Sequence, residues 1–188
     1  MTQVVGLTGG IASGKSTVSG LLGQVGFPII DADLVAHRLQ QPGQPGFERL
    51  VERFGRSIVT MDGSLDRQRL GQFVFNNQDA RNQLNQVMQP LIRETIMGQL
   101  TGFTKAAVPV VILDVPLLFE QGYDEDCDLV VVVTVDKATQ LARLMKRDGL
   151  SQAAAQARVA AQMPLNEKAA RADIVIDNNR DDNHLRQQ

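Results

Sequence analysis

Apolar positions along the 188 residues follow two rhythms that alternate. In the segments 4–8, 27–30, 108–114, 128–135 and 172–177, consecutive apolar residues predict short strands, and Val108-Pro109-Val110-Val111-Ile112-Leu113 and Leu129-Val130-Val131-Val132-Val133 have the unbroken form of strands buried on both faces of a parallel sheet. Between them, apolar residues recur at i, i+3, i+4 and i+7. Val18, Leu21, Leu22 and Val25 form one helical face; Phe47, Leu50, Val51 and Phe54 another, with Gly55 just beyond as a stop. Further helices are predicted over 34–39, 65–75 and along the stripe Leu84, Val87, Met88, Leu91, Ile92 and Ile96, where Pro90 should kink or divide the helix. Ser151 is placed to cap an Ala-rich helix over 152–162 that Met163-Pro164 ends, and the tail 178–188 is polar except for Leu185. Five strand candidates alternating with helices predict an α/β fold with a parallel sheet covered on both faces.

The first strand leads into Gly9-Gly10-Ile11-Ala12-Ser13-Gly14-Lys15-Ser16-Thr17, which fits the G-x-x-x-x-G-K-[ST] phosphate-binding loop of nucleoside triphosphatases. Glycines let the backbone curl so that N–H groups point at phosphate oxygens, and the following helix directs its positive end there. On this reading the amides of Gly10, Ile11, Ala12, Ser13, Gly14, Lys15, Ser16 and Thr17 cradle a nucleoside triphosphate, the Lys15 ammonium meets the β/γ-phosphates, and the Ser16 hydroxyl ligates Mg²⁺. The strand ending in Asp114 has the form of a Walker-B strand, so Asp114 can hold the same Mg²⁺ through water. The second strand ends at Asp31-Ala32-Asp33, where an extended backbone would turn both carboxylates to one side, and one of them can cap the next helix. Arg143 and Arg147, an i, i+4 pair on the helix after the fourth strand, supply cations for the charge on a transferring phosphoryl group.

Composition narrows the partners. A net charge of −2 without a long basic run implies neither nucleic acid nor a membrane surface, and 43% hydrophobic residues are enough for one sizeable core. Met1-Thr2-Gln3 runs directly into the first strand with no secretory signal, so a cytosolic protein is expected. Cys127, the single cysteine, lies among Asp124, Glu125, Asp126 and Asp128, which should raise its pKa and argue against a catalytic thiol. A guanine-reading Asn-Lys-x-Asp segment, which a GTPase switch would need, does not occur. A kinase for some other small hydroxylated acceptor would share the loop and differ in the acceptor pocket.

Taken together, Gly6-Leu7-Thr8-Gly9-Gly10-Ile11-Ala12-Ser13-Gly14-Lys15-Ser16, Asp31-Ala32-Asp33-Leu34-Val35-Ala36-His37, Asp114-Val115-Pro116-Leu117-Leu118-Phe119-Glu120, the block from Thr139 to Asp148, and the segment from Arg158 through Asn179 resemble the dephospho-CoA kinase family over nearly the whole chain. The resemblance implies a P-loop NTPase three-layer sandwich of the nucleoside-monophosphate-kinase type in a single kinase domain. Its core would be about 1–33, 105–136 and 170–188, with a helical acceptor-binding region about 34–104 and a helical lid about 139–163. It implies ATP-dependent phosphorylation of the ribose 3′-hydroxyl of dephospho-CoA, the last step of coenzyme A synthesis, by a monomer or at most a weak homo-oligomer. Carried over by position, Asp33 orients the hydroxyl and accepts its proton late, Lys15, Arg143 and Arg147 hold the moving phosphoryl group, and Thr8, Asp33 and His37 line the acceptor. His37 by itself reads as a packing or hydrogen-bonding residue. Three positions depart from the family pattern: Ala12 in place of glycine, which requires φ below zero there, Gln89 in place of histidine before Pro90, and Arg180 in place of glycine after Asn178-Asn179, where the short terminal helix begins.

Overall fold

In the computed structural model, which describes residues 1–75, 77–180 and 182–188, the chain forms two compact units, one of Met1–Asp31 with Phe103–Gln188 and one of Ala32–Gly102. Asp181, inside the predicted polar tail, lies outside the described residues.

The first unit holds a five-stranded, all-parallel sheet: β1 (Gln3–Gly9), β2 (Ile29–Asp31), β3 (Val110–Asp114), β4 (Leu129–Thr134) and β5 (Ile174–Asp177), in the order β2-β3-β1-β4-β5. Because side chains alternate across a strand, Leu7 of β1, Ile112 of β3, and Val131 and Val133 of β4 share one face. They pack with Val18 of α1 (Lys15–Gln24) and Leu185 of α9 (Asp182–Gln187) into one buried cluster. Leu185 is 5% exposed, so the lone apolar residue of the polar tail anchors its helix with an expected gain of about 2 kcal/mol. On the opposite face Gly6 is needed, since a Cβ there would come within 2.7 Å of both Cys127 Sγ and Leu118 Cδ1. Cys127 Sγ–H donates to the Tyr123 carbonyl at 3.2 Å, and its thiol is pushed up to about 12, first by burial and then by Asp126, Asp124 and Asp128. The direction expected from the acidic neighbours is met, but desolvation is the larger cause.

After β4 the chain makes α6 (Lys137–Asp148), α7 (Gln152–Ala160) and α8 (Leu165–Ala170). Asp136 caps α6 by accepting the Thr139 N–H, and Ser151 caps α7 as expected, accepting the Ala154 N–H. Helix α7 stops two residues before the predicted end, and α8 was not foreseen. Its Lys168 has a side chain 0% exposed, donating to the Pro116 carbonyl at 2.9 Å and to Glu120 Oε2 at 3.0 Å. Burial lowers the Lys168 pKa, and Glu120 works against that shift. Glu120 also accepts the Met163 N–H at 3.0 Å, so the pair ties the segment after β3 to the turn between α7 and α8. Breaking a buried pair costs about 3–5 kcal/mol, and Glu120 here keeps some solvent, so Lys168→Met should destabilise by about 2 kcal/mol. A denaturant midpoint unchanged from the parent would contradict that expectation.

The second unit is helical. It contains α2 (Ala32–Leu39), α3 (Pro45–Phe54), α4 (Arg67–Phe75) and most of α5 (Gln78–Lys105), with a small turn closed by a Val59–Leu65 bridge. Helix α3 ends at Gly55, whose φ of 80° is the left-handed conformation glycine permits. Helix α5 runs undivided through Pro90. A proline inside a helix costs about 3 kcal/mol, and burial of Met88, Leu91, Ile92, Ile96 and Leu100 along one stripe outweighs it. Among the described residues, no helix is long and apolar enough to cross a membrane.

Candidate active site

Strand β1 ends at Gly9, a loop spans residues 10–14, and α1 begins at Lys15. The loop closes on itself through Ser13 N–H to the Gly10 carbonyl at 3.0 Å, and Thr17 and Val18 donate back to the Gly14 carbonyl. Gly14 sits at the N-cap with φ 93°, and no side chain caps the helix. Its first amides therefore face outward with the positive helix end, the arrangement that receives phosphate. Glycine is required here for a second reason. An added Cβ would lie 2.0 Å from Asn178 Nδ2, which donates to the Ser13 carbonyl at 2.9 Å.

Ala12 corrects an expectation. Its φ is +59°, in the left-handed region, where φ below zero had been required. The loop's curl imposes this torsion whatever the side chain, and alanine bears a cost of about 1–2 kcal/mol there. Ala12→Gly removes that strain while adding freedom to the unfolded chain worth about 0.4–1 kcal/mol, so a small net stabilisation is expected. Thermal unfolding should rise by about 1–2 °C, and a fall would show that the left-handed torsion costs less than supposed.

Lys15 Nζ forms an ion pair with Asp114 Oδ1, the partner side chains being 16% and 3% exposed. The pairing register sets Asp31, at the end of β2, directly opposite Asp114. The C-terminal edge of the sheet thus carries two neighbouring carboxylates beside the loop lysine. Asp31 received no separate role from the sequence. The idea that Asp31 and Asp33 share a side of one extended segment is corrected: α2 begins at Ala32, so the alternation ends at Asp31, and Asp33 is an exposed residue of the first turn of α2 in the helical unit. There its carboxylate complements the helix dipole. His37, also on α2, is exposed with Nδ1 3.2 Å from Gln41 Nε2. Thr8 is fully buried, and its hydroxyl donates to the Pro116 carbonyl at 3.1 Å.

Beside the loop lies a depression of about 330 Å³. Ala12, Gly14, Ser16 and Thr17 form one wall, and Arg143, Arg147, Asn178 and Arg180 form the other. The two arginines of α6 are therefore brought to the phosphate loop, and Arg180 joins them as a third cation that the sequence presented only as a departure. Arg143 donates to the Asn178 carbonyl at 3.1 Å, so Asn178 braces both the loop and the arginine. Arg147 donates through Nε to Asp148 Oδ1 at 2.7 Å, and Arg158 shares the same carboxylate at 2.7 Å. Both cations hold the Asp148 carboxyl below the usual range, Arg147 by the larger share.

The sequence profile of the dephospho-CoA kinase family matches residues 3–183. The chain belongs to the dephospho-CoA kinase family. A family member from Symbiobacterium thermophilum is 52% identical over 94% of this chain and 74% of its own length, and one from Oceanobacillus iheyensis is 48% identical over 95% and 90%. The solved structure of dephospho-CoA kinase from Campylobacter jejuni superposes with a TM-score of 0.75 at 33% identity, covering 100% of this chain and 93% of that one.

Ser16 and Asp114 are hard oxygen donors of the type that suits Mg²⁺. Among the described residues no group of three or more His, Cys, Asp or Glu side chains gathers in a metal-binding arrangement.

Proposed function

We propose that this chain transfers the γ-phosphoryl group of ATP to the ribose 3′-hydroxyl of dephospho-CoA, giving coenzyme A and ADP. The observation that carries the reading is the family match over 3–183 together with a glycine loop and three arginines around one depression, with Lys15 at the start of the helix that follows the loop. Loop amides and the α1 N-terminus hold the β/γ-phosphates. Lys15 exchanges Asp114 for phosphate oxygens when the triphosphate arrives. Arg143 and Arg147 neutralise charge on the moving group, which in a largely dissociative transfer is the main task of the protein. Ser16, and Asp114 through water, would hold Mg²⁺, which would lower the charge on the phosphates. Asp33 aims the hydroxyl and takes its proton late, because a secondary alcohol is far too weak an acid to lose it to a carboxylate early. Thr8 and His37 belong to the acceptor side of this reading.

The test is direct. Purified protein with ATP, Mg²⁺ and dephospho-CoA should release ADP in step with a new phosphomonoester, which ³¹P NMR and fragmentation mass spectrometry place on the 3′-oxygen. Failure with dephospho-CoA alongside turnover of another alcohol would reassign the acceptor.

A further inference from the structure

The tip of the phosphate loop is held by two glutamines. Ile11 N–H donates to Gln162 Oε1 at 2.8 Å, and the Ile11 carbonyl accepts from Gln140 Nε2 at 2.8 Å. An N–H demands the oxygen of one amide and a C=O the nitrogen of the other, so the clamp fixes both amide orientations. Each glutamine is thereby half used. Gln140 keeps Oε1 as an acceptor and Gln162 keeps Nε2 as a donor.

Both residues line a cavity of about 750 Å³ between α6, α7 and the start of α8, whose apolar lining includes Val135, Leu141, Val159 and Leu165. The lining also carries Lys137, Gln156 and Asn166, and within it the oriented pair of one amide acceptor and one amide donor suits a flat heterocycle that presents a donor next to an acceptor. The amidine edge of adenine does this, with the N6 amino group beside a ring nitrogen. Location selects which adenine. On the proposed function the donor's phosphates take the separate depression lined by Gly14, Ser16, Thr17, Arg143 and Arg180, which leaves this cavity to the other substrate. Two of the lining residues pack against the start of the loop, since an added Cβ on Gly10 would fall 2.6 Å from Gln140 Nε2 and 3.5 Å from Leu165. In dephospho-CoA the nucleophile sits on the ribose that bears adenine, so the acceptor's base must bind close to the point of transfer.

We propose that the cavity between α6, α7 and the start of α8 takes the adenine of the acceptor, with Gln140 Oε1 and Gln162 Nε2 reading its amidine edge. This rests on dephospho-CoA being the acceptor. It makes the two glutamines specificity-determining residues that also couple base recognition to the loop tip.

Steady-state kinetics with ATP and acceptor varied separately test it. Ala160→Trp, which fills the cavity, should raise the acceptor KM about tenfold or more, with the ATP KM changed far less, whereas Ala153→Trp, on the same helix outside the cavity, should alter neither. An acceptor bearing hypoxanthine presents the reversed edge and should show a similar penalty with the parent enzyme. Gln162→Glu keeps an oxygen for Ile11 N–H and replaces the free donor by an acceptor, so it should narrow or invert the preference for adenine over hypoxanthine. Packing alone would not move that ratio. An unmoved acceptor KM in Ala160→Trp together with an unmoved base preference overturns the proposal, as does a shift confined to ATP. Inability of the parent enzyme to use dephospho-CoA would overturn the functional assignment and this inference together; normal turnover with unmoved acceptor parameters would overturn the inference alone.

Discussion

Lys15→Ala is expected to lower kcat/KM for ATP by about 10²- to 10³-fold, with KM rising and kcat falling together, since the role proposed for the ammonium is to bind the phosphates in the ground state and to meet further charge in the transition state. The structure adds a second signature. Lys15 neutralises Asp114, which is nearly closed off from water at the end of β3. Truncation leaves that carboxylate without its cation, and loss of one partner of a buried pair is strongly destabilising, by up to about 3–5 kcal/mol. Asp114→Asn in the Lys15→Ala background should therefore recover stability while leaving turnover low, since it removes the stranded charge and restores nothing for the phosphates. Saturation of Lys15→Ala by ATP at the parental KM would contradict the role given to this residue. Full stability of the single variant would show that Asp114 finds water or a proton instead.

Much of this site is local in sequence, which is why it was legible. The loop, its strand and its helix are one continuous stretch, and β3 and β4 announced themselves because strands buried on both faces have no polar position to interrupt them. Helical spacing put Arg143 and Arg147 on one face, and the need for cations on a moving phosphoryl group, with the family resemblance, pointed them at the phosphates. What escaped were contacts made across long separations. Gln140 and Gln162 reach Ile11 over 129 and 151 residues, and no local pattern distinguishes them from solvated glutamines. Lys168 carries no local mark, in a helix that the sequence did not announce, yet it is enclosed because Glu120 and the Pro116 carbonyl converge on it from the segment after β3. The torsion of Ala12 was misjudged for the opposite reason. Residue preference argued for φ below zero, while the closure of Ser13 N–H on the Gly10 carbonyl had already dictated the curl. At Asp31-Ala32-Asp33, the strand's period was extended two residues too far, across a boundary where strand becomes helix without a turn.

That boundary separates two carboxylates whose variants should behave differently. Asp33→Asn is expected to reduce kcat by about 10²-fold or more with the ATP KM changed little, since the amide preserves shape and loses the proton acceptor. Little stability should be lost. Asp33 is exposed in the first turn of α2, where asparagine is also well tolerated and the forgone helix-dipole interaction is worth only about 0.3–1 kcal/mol. Asp31→Asn changes a residue inside the sheet edge, opposite Asp114, so its effect should fall mainly on the Lys15–Asp114 neighbourhood and hence on ATP affinity. The two variants thus separate acceptor activation from nucleotide binding by a kcat-against-KM split. An active Asp33→Asn enzyme beside an inactive Asp31→Asn enzyme would move the role to the strand residue.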